Sequence, residues 1–554
     1  MNNFSTILRT KLFNNTFEII TFLILVTSVV WLKEINYLFY NSLESPDFDK
    51  YSIYFEHFFN GAKTNKEHGL LYYYLHSFNY SLFYAEFLSH DINLDKSIQQ
   101  VNFYIYLIGL IGYYVLLRFH KFSNKIIFAV LTFVNFFPPS ISMRLVFKPE
   151  ILAFAFLPWI IYLLEKFKSE NNLKYLYLSI PLILSLITQK GNILVTTAAI
   201  LFFLYFKSFI KIRIKHLFLI VGLGLFSFFA LSFENSNANG KNLLDIQSGS
   251  AIEENYNFKA PYSIIYKVDM FNLISKPEKH NHANSFIGIT LLETNGDYFD
   301  LIWNNDASNY FSNRKIIFKT EISKEIKIPK YNKEDTSLTI YKQRDSDRFP
   351  RKSLGLIISI LFYFYLIKSY FDNKKFRPYF TIVFIGMGTL LFHSITGFPK
   401  NNFDPSVGDT FKPMYYSFAM IFSFVFLIAN YLKNHMWRYS SIIIYCLTIV
   451  FILGFPKSYN YEIQANLVPK IQQSVYCEIE KTHYLGNSDF KDVSCGKETE
   501  LLKKDETSNN LKHKPINLFF IISNLSVMTY ILLENKGLSF LKLSFPHKRK
   551  NNKQ

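Results

Sequence analysis

The chain is 554 residues long, half of them hydrophobic and 18% charged, with 60 Phe, 38 Tyr and a formal net charge of +18. A soluble domain rarely reaches these apolar and aromatic fractions, because its surface has to be charged. The basic residues fall in short clusters between apolar runs, which argues against the continuous basic stripe of a nucleic-acid binder and matches the sorting of cations to the cytoplasmic side of a membrane.

Taken in chain order, the apolar runs fall at 15–37, 101–117, 125–143, 150–164, 174–189, 192–210, 216–233, 353–370, 378–395, 413–432, 439–456 and 515–533. Each is near the length a tilted helix needs to cross ~30 Å of hydrocarbon, which predicts an all-α polytopic membrane protein of about twelve transmembrane helices. The first run lacks a small-residue cleavage site and reads as a retained anchor. With the N-terminus inside, the connections Arg118 to Lys125, Glu165 to Lys174, Lys207 to Lys215, Lys368 to Arg377, Lys433 to Arg438 and the tail PHKRKNNKQ are short and mostly basic. The long connections 38–100, 234–352 and 457–514 then lie outside, so that both termini are cytoplasmic.

This divides the chain into an N-terminal transmembrane module (1–233), a large extracytoplasmic loop (234–352), a C-terminal transmembrane module (353–533) and a basic cytoplasmic tail (534–554). In the first outer loop Tyr51, Tyr54, Phe55, Phe58 and Phe59 recur at helical spacing before Gly61, and Leu70, Leu71, Tyr74, Leu75 and Phe78 repeat the pattern. Both stretches predict amphipathic helices lying in the interface. The loop 234–352 opens Asn-rich and contains alternating stretches (IKIPKY, TSLTIYK), which predict a small mixed α/β insertion. Three cysteines are too few for a disulfide scaffold or a zinc cluster. Cys477 and Cys495 share an outer loop, where a disulfide between them would survive, and Cys446 lies in an apolar run.

Charged residues at the outer ends of these runs oppose the general trend and so need partners. Asp47 and Asp49 follow the first run in an aromatic setting where a carboxylate is costly without a role. Asp49 serves equally well as the N-cap of a helix beginning near Lys50. D-x-D also holds metal and nucleotide diphosphate in soluble glycosyltransferases, but nucleotide sugars are cytoplasmic and this site is outside. Arg144, Lys148 and Glu150 cluster between the third and fourth runs, where the cations answer either phospholipid headgroups or a bound phosphate. Lys190 sits in the tight turn Gln189-Lys190-Gly191-Asn192. Asp409, Lys412, Tyr415 and Tyr416 stand at the mouth of the tenth run, where the two tyrosines fit an aromatic belt equally well. The segment 279–306 carries His280, His282, Asp297 and Asp306; two histidines do not make a metal site, and no metal or other cofactor is assigned. No phosphate loop, nucleophile elbow or H-E-x-x-H is present.

Asp47, Tyr51 and the Asn60-Gly61 pair (D-x-x-x-Y, then N-G), with Lys148-Pro149-Glu150 opening the fourth run, resemble the GT-C membrane glycosyltransferases, among them protein O-mannosyltransferases and the enzymes that add aminoarabinose to lipid A. The large outer loop after the seventh run fits too. The resemblance covers the first seven runs well and the rest loosely, and Phe48 stands where an Asp-Glu pair is commoner. It implies a GT-C-like fold in a bacterial inner membrane with the active site outside. It also implies a polyprenyl-phosphate-linked sugar as donor and a lipid, glycan or protein hydroxyl as acceptor. Asp47 is then the catalytic base, Glu150 or Asp49 shapes the acceptor site, and Arg144, Lys148, Lys190 and Lys412 hold the donor phosphate, with Asp409, Tyr415 and Asp297 as further pocket residues. The competing readings are a lipid-linked polysaccharide polymerase or ligase, which would use Arg344, Arg348 and Arg351, and a lipid or solute transporter, to which Pro138-Pro139 and Pro181 lend weight. A non-catalytic membrane subunit would tolerate loss of every residue named.

Overall fold

The computed structural model describes residues 16–32, 55, 70–83, 90–210, 212, 214–239, 265, 268–275, 285–296, 349–396, 413–435, 437–453 and 515–535. Every regular element among them is helical. In chain order these are α1 (Thr16–Leu32), α2 (Leu70–Phe83), α3 (His90–Phe119), α4 (Asn124–Phe136), α5 (Pro138–Leu145), α6 (Glu150–Glu170), α7 (Leu173–Ile187), α8 (Gly191–Phe209) and α9 (Ile214–Asn239). They continue as α10 (Met270–Ser275), α11 (Phe286–Gly296), α12 (Phe349–Asp372), α13 (Arg377–Thr396), α14 (Ser417–Asn434), α15 (Trp437–Leu453) and α16 (Pro515–Glu534). A 3-10 turn, Pro413–Tyr416, leads into α14.

Each apolar run of the sequence, where its residues are described, falls on helix. Six helices are long and apolar enough to cross a membrane by length and composition: the Ser97–Phe119 part of α3, α8, the Ile214–Leu231 part of α9, most of α12, α14 and most of α16. The outward faces of the peripheral helices suit lipid and not water, since Phe203, Phe218, Phe226 and Phe364 are each more than 60% exposed.

The run 125–143 is not one straight helix. It breaks at Phe137, and α4 and α5 meet at 62°. Phe137 precedes Pro138 and takes extended angles (φ −67°, ψ 123°), because the proline ring disfavours a helical residue before it. Pro138 is itself well placed at the start of α5, where its missing N–H removes no helical bond.

The interior is built on α6, buried at every residue from Glu150 to Leu164, with α3 and α7 against its sides and α14, also buried along most of its length, close by. Asn171 ends α6 in the left-handed conformation (φ 52°), and the Asn172 side chain accepts the Lys174 N–H to start α7. Several polar contacts between helices lie at helix ends. At one end Lys174 meets Glu534 at 3.0 Å, the His120 ring meets the Tyr379 hydroxyl at 3.0 Å, and Asn373 donates to Asn430 at 2.8 Å. At the other, Glu234 of α9 accepts the backbone N–H groups of Ile516 and Asn517 at the start of α16.

The stretch around 70–78 is helical as its spacing predicts, but it does not lie open in an interface. In α2 Leu71, Tyr72, Tyr73, Tyr74, His76 and Ser77 are all buried, and Phe78 points outward. Apolar spacing alone could not show that protein covers both sides. Of the 234–352 loop, the described parts are the end of α9, α10, α11 and the start of α12, none of them a strand; the alternating segments lie outside the described residues. Asp269 caps α10 through the Asn272 N–H (2.9 Å), and Ser285 caps α11 through the Gly288 N–H (3.1 Å).

Candidate functional site

Three stretches distant in sequence converge at the end of the bundle that holds the starts of α6 and α8. Glu150 is the first residue of α6, directly after Lys148 and Pro149. Lys190 precedes α8, its backbone extended, and Gly191 and Asn192 form that helix's first turn. The third stretch is the 3-10 turn with Tyr415 and Tyr416. Here the Lys190 ammonium lies 2.6 Å from Glu150 Oε1, and the Asn192 amide donates to the same oxygen at 3.1 Å and to the Tyr415 carbonyl at 3.2 Å. The face of the Tyr415 ring receives two cations, with Lys190 Nζ 4.2 Å and Lys148 Nζ 5.0 Å from its centroid.

This group is enclosed. Lys148 and Glu150 are each 3% exposed, and the Lys190 side chain 13%. Among the described residues two cations meet one carboxylate here, in low-dielectric surroundings. The first turns of two helices add N–H groups that no helical carbonyl accepts, which favours an anion. Two acceptors in this region, Glu150 Oε2 and Asn192 Oδ1, are buried and have no hydrogen-bond partner among the described residues. A buried acceptor without a donor is costly, so a hydroxyl-bearing ligand gains there.

A layer of polar residues holds this geometry from the α2 side. The Tyr72 N–H donates to Gln189 Oε1 at 3.3 Å, and the Tyr72 hydroxyl donates to Asn102 Oδ1 at 3.0 Å. The Asn102 amide in turn donates to the carbonyls of Arg144 and Val146, fixing the strand of chain that carries Lys148. Burial holds the Tyr72 hydroxyl well above its ordinary range; the Asn102 bond opposes this, and the Glu150 carboxylate adds to it. Burial also pushes the neighbouring His76 down to about 3, so its ring is neutral.

Of the residues singled out by sequence, Glu150, Lys148, Lys190 and Tyr415 come together. Arg144 is placed differently: it is wholly buried, its Nη2 donates to the Asn135 carbonyl at 3.0 Å, and its guanidinium lies 4.6 Å over the Tyr106 ring. Those contacts tie α5 back across the Phe137 corner to α4 and α3. Asp47, Asp49, Asp297, Asp409, Lys412, Cys477 and Cys495 lie outside the described residues, as do His280, His282 and Asp306. Among the described residues no three His, Cys, Asp or Glu side chains form a metal-ligand group. Sequence reasoning named Asn192 only as part of the turn that holds Lys190, and passed over Asn102 and Tyr72. Asn102 carried a signal, because a carboxamide inside an apolar run is expensive unless it is bonded.

No protein-family model matches this chain, and no curated protein or solved structure matches it either.

Proposed function

We propose that the chain is a membrane glycosyltransferase of about twelve spans, GT-C-like, in a bacterial inner membrane, with its termini cytoplasmic and its active site on the outer face. It moves a sugar from a polyprenyl-phosphate donor to the hydroxyl of a lipid, glycan or protein. The observation that carries this reading is the meeting of Lys148, Glu150, Lys190 and Tyr415 at the starts of two helices, an enclosed site with cations for a lipid phosphate.

In the reaction the acceptor oxygen forms a bond to the anomeric carbon while the bond from that carbon to the phosphate oxygen breaks. The acceptor proton passes to the Asp47 carboxylate, and the electron pair leaves with the polyprenyl phosphate. Lys148 and Lys190, with Lys412, stabilise the charge that gathers on the departing phosphate, more in the transition state than before it. Glu150 holds Lys190 in place and shapes the acceptor side through its second oxygen, with Asp49 as the other acid available for that role. The experiment is transfer by the purified protein in lipid vesicles supplied with polyprenyl-phosphate-linked hexoses and pentoses. Asp47→Asn abolishes transfer while expression and insertion stay normal; near-normal turnover in that variant ends the assignment.

The 62° break between α4 and α5 favours a second reading, a lipid or solute transporter, since broken helices line transport sites. Translocation of a labelled polyprenyl-phosphate sugar across vesicles, with no product formed on any acceptor, decides for it.

A further inference from the structure

The two lysines of the site arrive on separate stretches of chain, one between α5 and α6 and the other between α7 and α8. Val146 and Lys190 are extended, so no helical ladder fixes the backbone that carries either ammonium group. One residue of α2 reaches both stretches. Tyr72 lies in the first turn of α2, where no carbonyl of its own helix takes its N–H, and that N–H donates to Gln189 Oε1 at 3.3 Å, directly before Lys190. The Tyr72 hydroxyl donates to Asn102 Oδ1 at 3.0 Å and accepts from the Lys148 backbone N–H. Asn102 returns to the same stretch, its amide donating to the Arg144 and Val146 carbonyls at 3.0 and 3.2 Å. Between those anchors Phe147 is wholly buried, its ring centroid 4.9 Å from that of His76 and 5.6 Å from that of Tyr72. The side chains of α2 and Asn102 thus do for the lysine-bearing chain what a helix would do for its own backbone.

We propose that Tyr72 is a positioning residue for the donor phosphate: through Asn102 on one side and Gln189 on the other it holds Lys148 and Lys190 in register, so that both ammonium groups meet one phosphate. This rests on the glycosyltransferase reading and deepens it, because it makes α2, part of the first outer loop, a component of donor binding. Tyr72 touches neither the phosphate nor the reacting atoms. A lysine head swings on a flexible stem, and fixing its backbone beforehand lowers the ordering that binding has to impose.

The test is a double-mutant cycle on the full chain in nanodiscs, with polyprenyl monophosphate and uncharged polyprenol as probes. Tyr72→Phe keeps the ring and the backbone N–H and loses only the hydroxyl. It weakens polyprenyl phosphate roughly three- to ten-fold, the worth of a buried hydrogen bond, and polyprenol less than about two-fold. In a Lys148→Met background the same change weakens polyprenyl phosphate less than about two-fold, because the residue it acts through is gone. Asn102→Leu, which removes the next link, repeats both results and serves should Tyr72→Phe fail to fold. Equal weakening with and without Lys148, or no weakening in its presence, overturns the positioning role and leaves the glycosyltransferase reading standing. A wild type that takes polyprenyl phosphate no more tightly than polyprenol removes that reading and the positioning role with it.

Discussion

Lys190 Nζ stands 2.6 Å from Glu150 Oε1, and the two residues sit at the starts of different helices. Each is the other's compensation in surroundings where a lone charge is expensive. Breaking such a buried pair by removing one partner costs about 3–5 kcal/mol, whereas removing both together is often neutral. Lys190→Met therefore lowers the unfolding free energy by roughly that amount, and the double variant Lys190→Met/Glu150→Gln recovers most of it. On the glycosyltransferase reading transfer does not recover in the double variant, because the donor phosphate loses a cation. Stability and transfer that returned together would assign the pair a purely structural role.

How much of this was legible beforehand differs from feature to feature. The helices could be read because apolar runs of bilayer length have few other uses, and the Phe137 break could be read from Pro138-Pro139. Lys148, Glu150 and Lys190 stood out as charges at the ends of apolar runs, on the side the charge pattern assigns to the outside. Their meeting with Tyr415 was implied only by the family resemblance and not by the residues themselves, because it depends on how α6, α8 and α14 pack, and packing among apolar helices leaves little mark on periodicity. Arg144 shows the opposite failure. It carries the same charge as Lys148 and lies four residues away, yet the corner at Phe137 turns it inward onto Tyr106 and the Asn135 carbonyl. The segment 279–306 is apolar enough to lie against the membrane part, but which of its Thr and Asn side chains meet Ser359 and Tyr363 depends on how α11 packs on α12.

Glu234 closes a contact between α9 and the last helix. Its carboxylate accepts the N–H groups of Ile516 (3.0 Å) and Asn517 (2.7 Å), two donors that the first turn of α16 cannot otherwise use. The negative charge also complements the helix N-terminus. Glu234→Ala lowers the unfolding free energy by about 1–3 kcal/mol, and Glu234→Gln, which keeps an acceptor oxygen, by less. Denaturant unfolding of the detergent-solubilised protein measures both; an alanine variant as stable as the wild type would show that the cap contributes nothing.

Gly109 and Gly112 let α3 approach α6. A Cβ at Gly112 would meet Trp159 Nε1 at 2.6 Å and Pro158 Cγ at 2.9 Å, and one at Gly109 would run into the Phe154 ring. Small residues allow this closeness wherever helices pack inside a bilayer. Gly112→Ala displaces the Trp159 indole, whose N–H donates to the Ile108 carbonyl at 3.1 Å, and costs about 1–3 kcal/mol by overpacking. Gly222→Ala and Gly224→Ala on α9 are the controls, since a Cβ there meets nothing within 4 Å. They leave stability unchanged or raise it by up to about 1 kcal/mol through helix propensity. Thermal unfolding of the three variants side by side separates packing from propensity.

His120 lies just past the end of α3, bonded to the Tyr379 hydroxyl at 3.0 Å. Burial pushes it down to about 4 from 6.5, and the positive charges of Lys375 and Lys168 push the same way. Its folded state is therefore the neutral ring, while an unfolded chain takes up the proton below pH 6.5. The contribution to stability is complete above about pH 6.5, declines as the pH falls towards 4, and is flat below that, for a total loss of about 3 kcal/mol. At about pH 5 roughly 2 kcal/mol of it is gone. His120→Gln keeps a polar partner for Tyr379 and carries no titrating group, so this part of the pH dependence disappears in the variant. Denaturant midpoints at about pH 7.5 and pH 5 for both proteins make the comparison. Equal acid sensitivity in the two would show that the ring takes up its proton without penalty in the folded chain.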